Sequence, residues 1–117
     1  MRPHVLILED NFLLAQDLSE IVQQELGGDA VAVATVVEAL AKIPDHIDFA
    51  FLDVELSSGK SYPAARKLMQ THIPFIFVSG SERMSLPDDL RDIPFLSKPV
   101  PSGRLVRLTK AMSNVFD

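Results

Sequence analysis

Short apolar runs alternate along the chain with longer segments that carry helical signals. The apolar runs cover residues 5–8, 30–34, 49–52, 75–78 and 95–96. Continuous apolar strands are typical of a parallel sheet that is covered on both faces, and their alternation with helices is typical of a doubly wound arrangement. The pattern therefore predicts an α/β fold with a five-stranded parallel sheet.

The first two helices have clear end signals. Apolar residues recur at helical spacing from 14 to 26, and Gly27 with its following glycine is expected to end that helix. Thr35 and Glu38 form a capping-box pattern, in which the threonine side chain and the glutamate side chain cap each other's backbone. This pattern predicts a short second helix that stops before Pro44.

The third and last helices are each predicted to begin at a serine. Ser61 is expected to cap the third helix, and the last helix is expected to begin near Ser102. The residues of these two helices that we expect to face the core are Ala64, Ala65, Leu68, Met69, Leu105, Leu108, Met112 and Val115.

The segment from Ser81 to Asp92 has a weak helical pattern. It lies where the alternation requires a helix, but Pro87 falls inside it and its apolar residues are few. A proline in a helix interior costs about 3 kcal/mol. We therefore expect a short or irregular fourth helix.

Polar residues follow four of the five apolar runs. Glu9 and Asp10 follow the first run, Asp53 the third, Ser79 the fourth, and Lys98 lies just beyond the fifth. The carboxyl ends of parallel strands meet at one edge of the sheet, where such folds bind ligands. Three acids, a hydroxyl and an amine at that edge predict a site for a divalent metal and a phosphoryl group.

Length and composition predict a single compact domain. The chain has 117 residues, 47% of them hydrophobic, and no apolar stretch approaches the roughly 20 residues that span a bilayer. The first strand begins so early that we expect no signal peptide, and the absence of cysteine is compatible with the cytoplasm. A net charge of -5 disfavours non-specific binding to nucleic acid.

The polar residues also match a known family. Glu9-Asp10, Asp53, Ser79-Gly80 and Lys98-Pro99 resemble the site of response-regulator receiver domains, a flavodoxin-like family, in order and spacing. The resemblance covers residues 1–117 and implies a receiver domain without an output domain. Segments 59–63 and 74–80 resemble a single-domain subgroup of alphaproteobacterial stress signalling. That subgroup usually has Thr-Gly-Tyr at positions 79–81, where this chain has Ser-Gly-Ser.

The resemblance implies phosphoryl transfer to Asp53 from the phosphohistidine of a sensor kinase or phosphotransfer protein, with Mg²⁺ as cofactor. It implies that the metal is held by Asp10 and Asp53 directly, by the Glu55 backbone carbonyl, and by Glu9 through water. It implies that the phosphoryl group is contacted by Ser79, Gly80 and Lys98. Phe95 corresponds to the family's switch aromatic, which moves together with the residue at position 79.

The function expected from this resemblance is signalling by contact with a downstream protein, or service as a phosphate shuttle. We expect a cytoplasmic monomer or weak dimer that does not bind nucleic acid or membranes and is not an enzyme beyond its own phosphorylation and dephosphorylation. Two alternatives stay open: a pseudo-receiver scaffold that is never phosphorylated, and an aspartate-nucleophile phosphatase using Asp53 and Glu55. An FMN carrier is disfavoured, because Glu9 and Asp10 would repel phosphate.

Two electrostatic expectations follow from the crowding of acids around Lys98. Like charges ~4 Å apart cost about 4 kcal/mol at an effective dielectric near 20. We therefore expect Asp10→Asn to raise the melting temperature in the absence of metal. The side chain of Glu55, two residues after Asp53, is expected to flank the path by which a phosphodonor enters.

Basic residues and histidines offer weaker candidates. Arg104, Arg107 and Lys110 form a basic strip on the last helix, with Arg83 and Arg91 near it in the fold, and could contact a partner. The three histidines are widely spaced, and we expect them to be surface or capping residues.

Overall fold

Strands and helices alternate through residues 2–116, which are the residues described by this structure, a computed structural model. The strands are β1 His4–Leu8, β2 Asp29–Val33, β3 Phe49–Leu52, β4 Glu55–Leu56, β5 Gly59–Lys60, β6 Phe75–Ser79 and β7 Phe95–Ser97. The helices are α1 Phe12–Gln24, α2 Val36–Lys42, α3 Tyr62–Gln70 and α4 Ser102–Met112, with 3₁₀ turns at Arg83–Ser85, Asp88–Leu90 and Asn114–Phe116.

Five strands form one parallel sheet in the order β2-β1-β3-β6-β7. The chain starts in the sheet interior and winds outward in both directions, so the predicted doubly wound, flavodoxin-like fold is confirmed. The remaining strands, β4 and β5, form a small antiparallel hairpin directly after β3. This hairpin was not predicted, because its strands have two residues each and carry no apolar run.

The sheet separates two apolar layers, because successive side chains of a strand point to opposite faces. One layer contains α2 and α3 with Leu6, Leu52 and Phe77, and the other contains α1 and α4 with Ile7 and Phe51. Every residue of β3 and β6 is buried. Burial on both faces explains why these strands are apolar throughout rather than alternating.

The first two helices have N-terminal caps, of which the sequence predicted the second. The Asn11 side chain accepts hydrogen bonds from the N–H groups of Leu13 and Leu14, and the capping box of Thr35 and Glu38 is present. After α1, Gly27 adopts a φ of 66°, a left-handed conformation that favours glycine. No helix within residues 2–116 has the length and apolar character needed to cross a bilayer.

Three predictions about α3 and α4 are wrong in detail. Met69 is 40% exposed rather than inward-facing. Val115 lies beyond the end of α4, in the last 3₁₀ turn, and is 47% exposed. Ser61 precedes α3 as predicted, but its side chain makes no capping hydrogen bond, since its hydroxyl is buried without a partner among residues 2–116.

Two 3₁₀ turns replace a fourth α-helix between β6 and β7, as the sequence predicts. Backbone carbonyls in this segment accept hydrogen bonds from two arginines, which we call the arginine pair. Arg83 Nη1 lies 2.8 Å from the carbonyl oxygen of Arg91 and 3.1 Å from that of Ile93. Arg91 Nε lies 3.1 Å from the carbonyl oxygen of Leu86. Side-chain donors thus compensate for the helical hydrogen bonds that Pro87 prevents.

Candidate functional site

Three acids meet at the carboxyl edge of the sheet. Glu9 and Asp10 follow β1, Asp53 follows β3, and these two strands are paired neighbours. Each acid offers one carboxylate oxygen, and the three oxygens lie within 4.8 Å of one another. Glu9 and Asp53 are only 4% and 8% exposed, whereas Asp10 is half-buried. Hard oxygen donors in this arrangement suit a small divalent cation such as Mg²⁺.

Lys98 reaches into this cluster from the loop after β7. Its Nζ lies 2.5 Å from Glu9 Oε1 and 2.8 Å from Asp53 Oδ2. Its backbone N–H donates to the Ser79 carbonyl at 2.9 Å, and a cis peptide bond joins it to Pro99. The sequence prediction that Glu9, Asp10, Asp53 and Lys98 lie together therefore agrees with the geometry.

The pKa values of Glu9 and Lys98 are both raised. Burial raises the pKa of Glu9 and outweighs the hydrogen bonds donated by Lys98 and by the Asn11 N–H. Burial alone would lower the pKa of Lys98, but the hydrogen bonds to Asp53 and Glu9 outweigh it. The raised pKa of Lys98 means that its positive charge stabilises the fold at neutral pH, and this contribution is lost as the pH rises through the raised value, above the ordinary pKa of 10.5. The raised pKa of Glu9 has the opposite sign, because the Glu9 charge opposes folding at neutral pH.

Asp10 is held by Ser57, a contact that the sequence did not reveal. The Ser57 hydroxyl and backbone N–H both donate to Asp10 Oδ2, at 2.7 and 2.5 Å. These two bonds, the hydroxyl first, lower the pKa of Asp10. A lowered pKa means that the Asp10 charge stabilises the fold at neutral pH. The expectation that Asp10→Asn raises the melting temperature without metal is therefore unsupported, because it counted Lys98 as the only compensating group.

The Glu55 carboxylate is paired rather than free. Glu55 and Lys60 are opposite each other in the β4–β5 hairpin, and Lys60 Nζ forms an ion pair with Glu55 Oε1. The Glu55 backbone N–H donates to Asp53 Oδ1 at 3.3 Å. The Glu55 backbone thus contacts Asp53 and its carboxylate pairs with Lys60, whereas the place of the side chain beside the entry path stays a prediction. The proposed role of the Glu55 carbonyl as a metal ligand stays a prediction.

The Ser79 hydroxyl has a protein partner, Ser81. Its Oγ lies 2.8 Å from Ser81 Oγ and accepts the Ser81 N–H at 3.2 Å. Ser79 is 1% exposed and ends β6 next to the β7 strand that leads to Lys98. Gly80 is exposed, and a side chain there would meet nothing within 4 Å. Phosphoryl contact by Ser79 and Gly80 stays a prediction.

Phe95 packs between the core and Arg83. Its ring centroid lies 6.3 Å from that of Phe77, and the Arg83 guanidinium carbon lies 5.8 Å from the Phe95 centroid on a half-buried face. Arg83 thus contacts both the Phe95 ring and the backbone before β7. These contacts connect the 3₁₀ segment to the predicted switch residue. The switch role of Phe95 itself stays a prediction.

The weaker candidates lie on the surface. Arg104, Arg107 and Lys110 are exposed on α4, whereas Arg83 and Arg91 donate to nearby carbonyls. The histidines are spread over the chain: His4 is half-buried at the start of β1, and His46 and His72 are exposed turn residues.

Comparison with known proteins identifies the family. Scans against protein-family models and curated proteins return no match. The structure of SdrG from Sphingomonas melonis Fr1 is 36% identical in sequence, with 95% of this chain and 96% of that chain covered and a TM-score of 0.81.

Two further structures, at lower identity, share the fold. A CheY-like response regulator receiver domain from Methylobacillus flagellatus is 22% identical, with 97% and 100% of the two chains covered and a TM-score of 0.81. The PhyR response regulator REC domain of Erythrobacter litoralis is 23% identical, with 95% and 90% covered and a TM-score of 0.80. The chain belongs to the response-regulator receiver domain family.

Proposed function

We propose that the protein is a phosphoacceptor of a two-component or phosphorelay system, in which Asp53 accepts a phosphoryl group from the phosphohistidine of a sensor kinase or phosphotransfer protein. One observation carries the proposal. The Asp53 carboxylate is held by the Lys98 ammonium at 2.8 Å and shares its edge of the sheet with Glu9 and Asp10. A nucleophilic carboxylate, a cation-binding acid pair and a phosphate-pairing amine are the parts that this reaction needs.

The residues that would hold Mg²⁺ differ in whether their oxygens already accept hydrogen bonds from the protein. Both Glu9 oxygens accept hydrogen bonds, from Lys98 and from the Asn11 N–H. Glu9 is therefore suited to a contact through water, which Mg²⁺ usually retains. Asp10 and Asp53, with the Glu55 carbonyl, are the proposed direct ligands. When bound, Mg²⁺ would neutralise charge on the phosphoryl oxygens.

The proposed step forms one bond and breaks one. An Asp53 carboxylate oxygen attacks phosphorus while the bond from phosphorus to the donor histidine nitrogen breaks, and the electron pair stays on the histidine nitrogen. Lys98 then exchanges its contact with Asp53 for one with a phosphoryl oxygen. Ser79 would donate its hydroxyl to another phosphoryl oxygen, while its oxygen can still accept from the Ser81 hydroxyl and N–H. Positioning and charge neutralisation supply most of the catalysis in such transfers.

We propose that residues 1–117 act as one receiver domain in the cytoplasm, as a monomer or weak dimer that signals through a protein partner or shuttles phosphate. The near-complete coverage of the SdrG chain supports a single domain. The net charge of -5 argues against direct nucleic-acid binding. Phe12 and Leu13, which are 77% and 70% exposed at the start of α1, offer apolar contact area to a partner. Assignment to the alphaproteobacterial stress-signalling subgroup also stays a proposal.

Incubation with acetyl phosphate tests the proposal. We expect the intact mass to rise by one phosphoryl group with Mg²⁺ and to stay unchanged with EDTA. A pseudo-receiver would show no increase under either condition. An aspartate-nucleophile phosphatase would hydrolyse acetyl phosphate catalytically without lasting modification, so release of inorganic phosphate is measured in the same samples.

We expect the Glu55–Lys60 pair to tune the rate of phosphorylation by anionic donors. Glu55→Gln leaves the Lys60 charge uncompensated and should accelerate phosphorylation by acetyl phosphate several-fold at low salt. Lys60→Met leaves Glu55 uncompensated and should slow it by a similar factor. The two rates should converge at about 1 M salt, where the screening length is about 3 Å. Equal rates for both variants at low salt would show that the pair lies off the entry path.

We expect the segment from Ser81 to Asp92 to be the part of the output surface that responds to phosphorylation. It has little regular backbone hydrogen bonding, and it contacts Ser79 through Ser81 and Phe95 through Arg83. Segments of this kind open at low free energy. Hydrogen exchange with Mg²⁺ and beryllofluoride should therefore change protection between residues 81 and 95.

The matched control is Arg83→Met, which should raise exchange in this segment without beryllofluoride and leave α1 unchanged. Changes confined to residues around Asp10 and Asp53 would contradict this output surface.

A further inference from the structure

The turn of the β4–β5 hairpin contacts the loop after β1 through Ser57. Two donors of this residue, the backbone N–H at 2.5 Å and the hydroxyl at 2.7 Å, bind the same atom, Asp10 Oδ2. The two residues are 47 positions apart in the chain. The contact therefore fixes the hairpin and the Asp10 loop relative to each other.

This contact distinguishes the two oxygens of Asp10. A carboxylate oxygen has two lone-pair sites in its plane, and Oδ2 uses both for Ser57. The second oxygen, Oδ1, is then the one that can coordinate a cation. Without Ser57, the half-buried Asp10 side chain would sample several rotamers, and cation binding would cost the conformational entropy of fixing one of them.

The hairpin is itself fixed at its base. The Glu55 N–H donates to Asp53 Oδ1, the Ser61 N–H donates to the Val54 carbonyl at 3.0 Å, and Lys60 pairs with Glu55 across the strands. The hairpin therefore contacts Asp53 at its beginning and Asp10 at its turn. It connects the two carboxylates that come from different strands.

We propose that Ser57 is a positioning residue of the cation site, which orients Asp10 so that its free oxygen faces the cation shared with Asp53. The inference rests on the proposed function, because it assumes that the acid cluster binds a divalent cation. It extends that function by making the β4–β5 hairpin part of the binding site. Partners that orient a metal ligand typically contribute about 10- to 100-fold in affinity.

The alternative role for Ser57 is competition with the cation for Asp10, and it predicts the opposite change in Mg²⁺ affinity. If Ser57 held Asp10 away from the cation, removal of its hydroxyl would tighten binding, because the cation would no longer compete with Ser57. The direction of the change in Mg²⁺ affinity therefore separates positioning from competition.

Calorimetric titration with Mg²⁺ provides the test and does not depend on phosphorylation. We expect Ser57→Ala to weaken binding about 10-fold, at the lower end of the range because the backbone N–H remains. Ser57→Thr keeps a hydroxyl and should bind within about 2-fold of the original protein. Ser58→Ala, in the same turn, should leave the affinity unchanged. Melting of all variants in EDTA checks that the fold is retained.

The titration results distinguish a failure of the Ser57 role from a failure of the proposed function. Equal or tighter Mg²⁺ binding by Ser57→Ala, an equal loss in Ser58→Ala, or a failure of Ser57→Thr to restore binding would overturn the role of Ser57 alone, provided that the original protein binds Mg²⁺. Absence of Mg²⁺ binding by the original protein would overturn both this inference and the proposed cation-dependent function.

Discussion

Replacement of Lys98 by methionine is expected to lower the free energy of unfolding by about 3 kcal/mol in the absence of Mg²⁺, the lower end of what breaking a buried ion pair typically costs. Methionine retains much of the apolar stem but removes the ammonium that contacts Glu9 and Asp53. The side chains of these acids are 2% and 9% exposed, so the two carboxylates are poorly solvated once the ammonium is removed. Urea unfolding at neutral pH in EDTA measures the effect.

If the loss of stability in Lys98→Met comes from repulsion between Glu9 and Asp53, removing one of these charges should reverse part of it. Glu9→Gln in the Lys98→Met background should recover part of the stability, because it removes one of the two unpaired buried carboxylates. Saturating Mg²⁺ should recover part of it by a second route, since a ligand that binds only the folded state stabilises it. Lys42→Met, at an exposed lysine of α2, is the matched surface control and should change stability by less than about 0.5 kcal/mol. A similarly small loss for Lys98→Met would contradict the ion-pair cluster.

Asp53→Asn is expected to abolish phosphorylation by acetyl phosphate while leaving the protein folded. The amide is not a useful nucleophile, and it removes a charged ligand from the proposed cation site. Folding should survive because Lys98 retains Glu9 as an ionic partner at 2.5 Å. Intact-mass measurement after incubation with acetyl phosphate and Mg²⁺ should show no phosphoryl adduct, and thermal unfolding should remain cooperative.

Asp45→Asn is the matched control, because Asp45 is exposed in the turn after α2 and is separate from the acid cluster. It should be phosphorylated at the original rate. Phosphorylation of Asp53→Asn at a comparable rate would show that another residue accepts the phosphoryl group.

The fold was predictable because its sheet is buried on both faces. A strand such as β6 must be apolar at every position, and the polar residue that ends it marks the carboxyl edge. The positions of Glu9, Asp53 and Lys98 follow from this rule alone, since each comes at or just beyond the end of a strand. The irregular segment after β6 was also predictable, because Pro87 is incompatible with a helix interior.

The contacts that complete the site could not be predicted. Ser57 binds Asp10 across 47 residues of sequence, and a serine in a turn gives no local sign of a distant partner. The Ser81 contact to Ser79 and the Lys60 contact to Glu55 depend on side-chain rotamers that periodicity does not determine. The expectation for Asp10→Asn left out the donors that favour the Asp10 charge, because they are contributed by the unpredicted hairpin.

Locating the phosphoryl group tests most directly whether Asp53 is a Mg²⁺-dependent acceptor. The protein is incubated with acetyl phosphate, the acyl phosphate is trapped by reduction with borohydride, and the reduced residue is located by peptide mass spectrometry. We predict a single modified position, Asp53, in samples with Mg²⁺ and none in samples with EDTA. Modification of another residue, or equal modification of Asp53 in EDTA, would contradict the proposed site.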